Sequence, residues 1–224
     1  MANEMSSEIA IPYDSADQQR SAATFGMWVF LATEVLFFGG LFVGYVVYRY
    51  EYPEAFRTGS AELNLWSGGA MTLLLLLGSM LVAVVDHLIA PSADNRSSLR
   101  GPVVRRLVAT TVLGIAFLAL EFHEYHQLIQ DGRFPGHAFR LSDVSSDPLD
   151  GRSVEMFFTL FFCMTGLHAF HMCLGILLVG GMAVAIGRSE QPRSLANPMS
   201  VIGLYWHFVD IIWVFLYPLF YLVR

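Results

Sequence analysis

Residues 24–48 read TFGMWVFLATEVLFFGGLFVGYVVY. Tyrosines aside, Glu34 is the one ionisable side chain in that run. Twenty-five residues of helix rise about 37 Å, enough to cross a hydrocarbon core of about 30 Å. A carboxyl group ten residues into such a span lies near the bilayer midplane, where an ionised acid costs at least a few kcal/mol. It is expected to be protonated, paired or next to water.

The rest of the chain follows the same pattern. Of 224 residues, 55% are hydrophobic and 14% charged, where soluble domains carry about a quarter charged residues. Five apolar runs are predicted to span a membrane: Thr24–Tyr48, Leu65–Val85, Leu107–Ile129, Val154–Ile186 and Met199–Val223. The segments between them are rich in Gly, Pro, Asp and Ser, which end apolar helices. The expected fold is therefore an all-α integral membrane bundle of five helices. It forms one domain over residues 24–224, and residues 1–23 are read as a short, poorly ordered tail. The fourth run, about 50 Å long as helix, must tilt or project. Its small residues Gly166, Ala169, Gly175, Gly180 and Gly181 favour close helix contact and predict a place inside the bundle.

Charge sets the orientation and narrows the partners. All 13 basic residues are arginine and the net charge is −6, so no basic footprint for nucleic acid exists. Seven arginines fall on the side of the N-terminal tail and six on the other. The dense group Arg96, Arg100, Arg105 and Arg106 predicts the N-terminus inside and the C-terminus outside. Cys163 and Cys173, if on one helix, are about 15 Å apart, too far for an internal disulfide.

The polar residues inside the spans are the functional candidates. His168 and His171 in TGLHAFH share a helix face, as do His207 and Asp210 in YWHFVDIIW. Glu121, His123, Glu124 and His126 crowd the end of span three in EFHEYHQ. Glu34, the span-four histidines and the span-five pair are expected at similar depths, as one polar interior. Each has a plainer reading. Glu34 is either a neutral acid bonded across helices or a proton handler. His207 with Asp210 is either a helix–helix contact or chemistry. The 121–126 cluster reads as a solvated helix end. Imidazole and carboxylate suit zinc or iron. The Glu-x-x-His of di-iron bundles and the Cys-x-x-Cys-His of c-type haem are absent from the sequence, whereas b-type haem ligation by single histidines stays open.

Five blocks in order carry a family resemblance: FGMWVFLATEVLFFGGLFVGYVVYR, LNLWSGGAMTLLLLLGSM, GIAFLALEFHEY, FFTLFFCMTGLHAFHMCLGILLV and LYWHFVDIIWVFLYPLFYL. Together they resemble subunit III of the haem-copper respiratory oxidases, in the five-helix form that lacks the first two helices of the longer family members. The resemblance implies an accessory subunit of a proton-pumping terminal oxidase, with cytochrome c as the favoured donor. Such a subunit stabilises subunit I and supports proton uptake and lipid or oxygen access. It implies no catalytic residue, cofactor or metal in this chain. Haem and copper would sit in partner subunits I and II, and structural phospholipids would bind here. It further implies a multi-pass protein of the bacterial inner membrane and leaves a larger respiratory supercomplex open. The family's carbodiimide-reactive acid matches Glu34, and its intramembrane polar positions match Glu124, His168, His171, His207 and Asp210. Glu121 departs from the pattern, since many relatives carry glutamine there. Two further readings are the similar third subunits of quinol oxidases and the accessory protein of nitric oxide reductases. A free-standing metalloenzyme using His168, His171 and Glu124 is another; a transporter is disfavoured by the absence of an inverted repeat.

Overall fold

The structure is a computed structural model, and it describes residues 15–89, 100–136, 139–140, 148–189 and 192–224. Arg96 of the basic group and residues 1–14 of the tail lie outside the described residues. The described residues form six α-helices in order: α1 (Ala16–Glu51), α2 (Pro53–Glu62), α3 (Leu65–Ile89), α4 (Arg100–Gln130), α5 (Pro148–Arg188) and α6 (Ala196–Tyr221). A 3₁₀ turn, Pro192–Leu195, precedes α6. All but α2 are long and apolar enough to cross a membrane, so the chain is a multi-pass membrane protein.

Several boundaries differ from the sequence expectation: α4 and α5 begin at Arg100 and Pro148, before the apolar runs that start at Leu107 and Val154, and two further differences lie nearer the N-terminus. The tail is expected to run to residue 23, but α1 begins at Ala16. Ser15, in extended backbone, accepts the Gln18 amide on its hydroxyl at 3.2 Å and caps the helix. The stretch before Leu63, which reads as a break, contains α2. Pro53 sits at its start, where a missing N–H costs nothing. Phe56, Gly59 and Ser60 form its buried face, and that face packs on α5.

α3, α4, α5 and α6 pack in a ring, each against its two neighbours, while α1 leans on α6 from outside with lesser contacts to α2 and α5. The most buried of the spans is α6. The glycine-rich α5, expected inside, turns Phe170, Leu177 and Val184 outward. It is a single 41-residue helix, about 61 Å by its rise, so it projects well past a bilayer core.

Trp206 shows how α6 engages the other three helices of the ring. Its indole is 1% exposed. A methyl group added at Gly78 of α3 would come within 3.3 Å of the ring, at Gly114 of α4 within 3.1 Å and at Gly175 of α5 within 3.4 Å. One glycine from each of the other three helices of the ring thus makes room for one large side chain. In lipid, where apolar surface gains little by leaving the solvent, such close packing is what holds helices together.

Candidate functional site

The polar residues of the spans do not form one interior; they form separate sites. The first joins α1 to α5. Glu34 Oε2 lies 3.2 Å from His171 Nε2. The other ring nitrogen, Nδ1, is 2.7 Å from the Leu167 carbonyl. A carbonyl only accepts, so Nδ1 carries a hydrogen. One further hydrogen then sits on the Glu34–His171 axis, on the acid or on the imidazole. Phe38 meets the imidazole edge-on at 5.4 Å, and the Tyr205 hydroxyl donates to the His171 carbonyl at 3.1 Å. The pair faces an otherwise apolar groove of about 550 Å³ that Met27, Phe30, Phe170 and Leu174 help to line.

This geometry makes a double-mutant cycle informative. Glu34→Leu and His171→Leu should each destabilise the protein by about 1–3 kcal/mol, because each leaves a half-buried polar partner unpaired. The double variant should lose little more than either one. Thermal unfolding in detergent measures this; simple additivity would show that the pair is not coupled.

His168, three residues before His171, goes elsewhere. Three helical residues leave two side chains about 60° apart, enough at a junction of several helices to face different neighbours. His168 is fully buried beside Phe117 and Trp213, with ring centroids 5.5 and 5.2 Å away. Neither of its ring nitrogens has a hydrogen-bond partner among the described residues.

The cluster at the end of α4 reads from sequence as a solvated helix end. That holds for His123 and His126, which are exposed, but Glu121 and Glu124 are 2% and 5% exposed. Glu124 accepts the Tyr221 hydroxyl at 2.8 Å and the Asn64 amide at 3.3 Å. It thereby ties α4 to the end of α6 and to the residue before α3. Glu121 accepts the Tyr125 hydroxyl at 3.2 Å, and that hydroxyl also meets Thr165 of α5 at 2.5 Å. Gly132, at φ 73°, lets the chain turn after α4. Beyond it, Arg133 pairs with Glu62 of α2 at 2.6 Å. Burial pushes the Glu62 carboxyl above its ordinary range, and the Arg133 guanidinium pulls it back.

The third group runs along the seam of α3 and α6. Ser200 donates to Asp86 at 2.5 Å, Ser79 meets His207 Nδ1 at 2.5 Å, and the Trp213 indole donates to Thr72 at 3.1 Å. Asn64 and Tyr221 close the series through Glu124. These rungs stand about two helical turns apart on both antiparallel helices and fix their register. His207 therefore pairs with Ser79, not with Asp210 as its spacing suggests. The α3 partners are not among the sequence candidates, although Asn64, Thr72, Ser79 and Asp86 recur at near-heptad spacing in an apolar run, the signal of a helix–helix seam.

The residues of the metalloenzyme reading diverge: His171 turns to Glu34, His168 to Trp213, and Glu124 to Tyr221. Among the described residues, no three His, Cys, Asp or Glu side chains are gathered as a metal site.

Five spans whose buried polar groups mostly tie one helix to another define a multi-pass membrane bundle. A family model for cytochrome c oxidase subunit III matches residues 3–223. The chain belongs to that family, the accessory third subunits of haem-copper oxidases. It is 29% identical to cytochrome c oxidase subunit 3 of Thermostichus vulcanus, over 96% of this chain and 94% of that one. It is 26% identical to quinol oxidase subunit 3 of Bacillus subtilis strain 168, over 88% of this chain and 85% of that one. A haem-copper oxidase subunit I+III of Aeropyrum pernix is 28% identical over 92% of this chain and 23% of its own length.

Proposed function

We propose that this chain is the third subunit of a proton-pumping cytochrome c oxidase. It packs against subunit I in the bacterial inner membrane, with its N-terminus inside and its C-terminus outside. Electron transfer and oxygen reduction run on haem and copper held by subunits I and II. This chain stabilises subunit I, offers lipid or oxygen a path along the apolar grooves beside α1, and supports proton uptake. Glu34, the carbodiimide-reactive type of acid, is held by His171 in that role. Glu124, through Tyr221 and Asn64, and His207, through Ser79, keep the helices in register, and His168 and Asp210 complete the set of intramembrane polar residues.

The observation that carries the reading is the family match over residues 3–223. Its most specific motifs, TGLHAFH and YWHFVDIIW, lie on α5 and α6, where His171 reaches Glu34 and His207 reaches Ser79. The name of the Aeropyrum relative, a subunit I+III in one chain, supports subunit I as the neighbour. The relatives named for quinol oxidase favour a second reading that differs only in the electron donor.

Purification through a tag on this chain in mild detergent tests both. The expected product is a haem-copper complex that consumes oxygen with reduced cytochrome c, and a separated chain without bound metal. Oxygen consumption with a quinol alone selects the second reading. Copurification with a nitric oxide reductase, or isolation of this chain alone with stoichiometric iron or zinc, overturns both.

A further inference from the structure

Glu121 and Glu124 stand about one helical turn apart on α4, and both are buried. Residues at that spacing share a helix face. Among the described residues, neither acid forms an ion pair with a basic side chain. Two carboxylates so placed in a membrane span repel each other with little screening, and one of the two is expected to hold a proton. The hydrogen bonds distinguish them. Glu124 receives a hydrogen on each oxygen, on Oε1 from the Asn64 amide and on Oε2 from the Tyr221 hydroxyl. That is the pattern of an ionised carboxylate, which only accepts.

Glu121 differs. Its Oε2 is buried without a partner among the described residues, and its Oε1 lies 3.2 Å from the Tyr125 hydroxyl. Taken alone, that contact is a tyrosine donating to a carboxylate. It does not stand alone, because the same hydroxyl is 2.5 Å from Thr165 Oγ1, which is 2.7 Å from the Phe161 carbonyl. The series holds three hydrogen bonds, and its last member can only accept. Thr165 gives its one hydrogen to that carbonyl, and Tyr125 gives its own to Thr165. The hydrogen between Tyr125 and Glu121 then comes from the acid. A neutral carboxyl supplies it and also eases the burial of Oε2, which becomes a carbonyl oxygen instead of half of a charge.

We propose that Glu121 and Glu124 bind a single proton between them, that it resides on Glu121, and that it heads a hydrogen-bond chain through Tyr125 and Thr165 to the Phe161 carbonyl, across the contact of α4 with α5. Release of the proton breaks the Glu121 O–H bond, passes the proton to water and transfers no electron. Both hydroxyls then turn round: Tyr125 donates to the new carboxylate, and Thr165 donates to Tyr125 and leaves the Phe161 carbonyl. Binding and release are therefore linked to the way α4 is tied to α5. The groups that face the pair are the Tyr221 hydroxyl of α6, the uncharged Thr165 of α5 and the Asn64 amide before α3. His168, one turn along α5 from Thr165, bonds to neither acid, and Glu62 and Arg133 pair with each other. The site is separate from the Glu34–His171 pair and does not depend on which oxidase the chain serves.

Infrared difference spectroscopy of the full chain, in the membrane complex it purifies with, tests the proposal through the carbonyl stretch of protonated carboxyl groups. Wild type minus Glu121→Gln is expected to show the loss of one such group. Wild type minus Glu124→Gln should show no loss, because that acid carries no proton. Tyr125→Phe removes the hydroxyl that accepts the Glu121 O–H and should move the same band to higher frequency. If Glu121→Gln fails to assemble, the other two variants carry the test: the band shifts in Tyr125→Phe and persists in Glu124→Gln. No loss in Glu121→Gln, a loss in Glu124→Gln, or a band unmoved by Tyr125→Phe overturns the proposal.

Discussion

Replacing Trp206 with alanine is expected to cost about 3 kcal/mol of stability and to lower the thermal unfolding midpoint of the detergent-purified protein by many degrees. Truncation of a buried tryptophan in water-soluble cores costs about 3–5 kcal/mol, from lost transfer energy and from the cavity left behind. The low end applies here, because lipid tails are as apolar as a protein core and the transfer contribution shrinks. The cavity contribution stays. Gly78, Gly114 and Gly175, which crowd the indole from α3, α4 and α5, carry no side chain that could move in to refill the space. The contacts of the ring with all three helices would be lost at once. Trp206→Phe, which leaves a ring in place, should cost well under half as much. A midpoint unmoved by Trp206→Ala would mean that the three glycines are not shaped around this side chain.

The spans are legible in the sequence because a bilayer demands about 20 apolar residues per crossing, and that signal is strong. Glu34 stands out for the same reason, as an acid with no place in lipid. Its partner is visible in the sequence but not matched to it. His171 lies 137 positions away, and periodicity says which residues share a face, not which faces meet. The two i, i+3 motifs read as pairs, yet a 60° offset sends His168 to Trp213 and His171 to Glu34, and sends His207 to Ser79 rather than to Asp210. The depth of the 121–126 cluster is legible only in part. Helix position alone places all its members near water, but the bundle turns one side of the same two turns inward and buries both acids. α2 is hidden by its composition, since Pro53, Glu54, Arg57, Gly59 and Glu62 within ten residues look like a loop between two spans. What reveals it is Pro53 at its first position and the buried spacing of Phe56, Gly59 and Ser60.

Glu124→Ala is the other substitution expected to act strongly, with a loss of about 2–4 kcal/mol. Glu124 is the point where three elements meet: its own helix, the Tyr221 hydroxyl at the end of α6, and the Asn64 amide at the start of α3. Alanine would leave both donors without an acceptor: the buried Tyr221 hydroxyl, at about 1–3 kcal/mol, and the amide of Asn64, an exposed residue, at about 1 kcal/mol. Asn64 has further work that depends on its position, because its side chain accepts the Trp66 and Ser67 amides at 3.0 and 3.3 Å and caps α3. Loosening that residue therefore weakens the first turn of α3 as well as the rung to α6. Glu124→Gln keeps an acceptor oxygen and should cost about 1 kcal/mol or less, and Tyr221→Phe, which removes one donor, about 1 kcal/mol. The measurement is the fraction of chain recovered folded after stepwise heating of the purified protein, with the four proteins compared side by side. The expected order of stability is wild type, then Glu124→Gln and Tyr221→Phe, then Glu124→Ala. If Glu124→Ala proved no worse than Tyr221→Phe, the acid would be binding α6 alone and the start of α3 would be held by something else. The order also separates charge from hydrogen bonding: a Glu124→Gln variant as unstable as Glu124→Ala would show that the knot depends on a carboxyl group and not merely on an acceptor at that position.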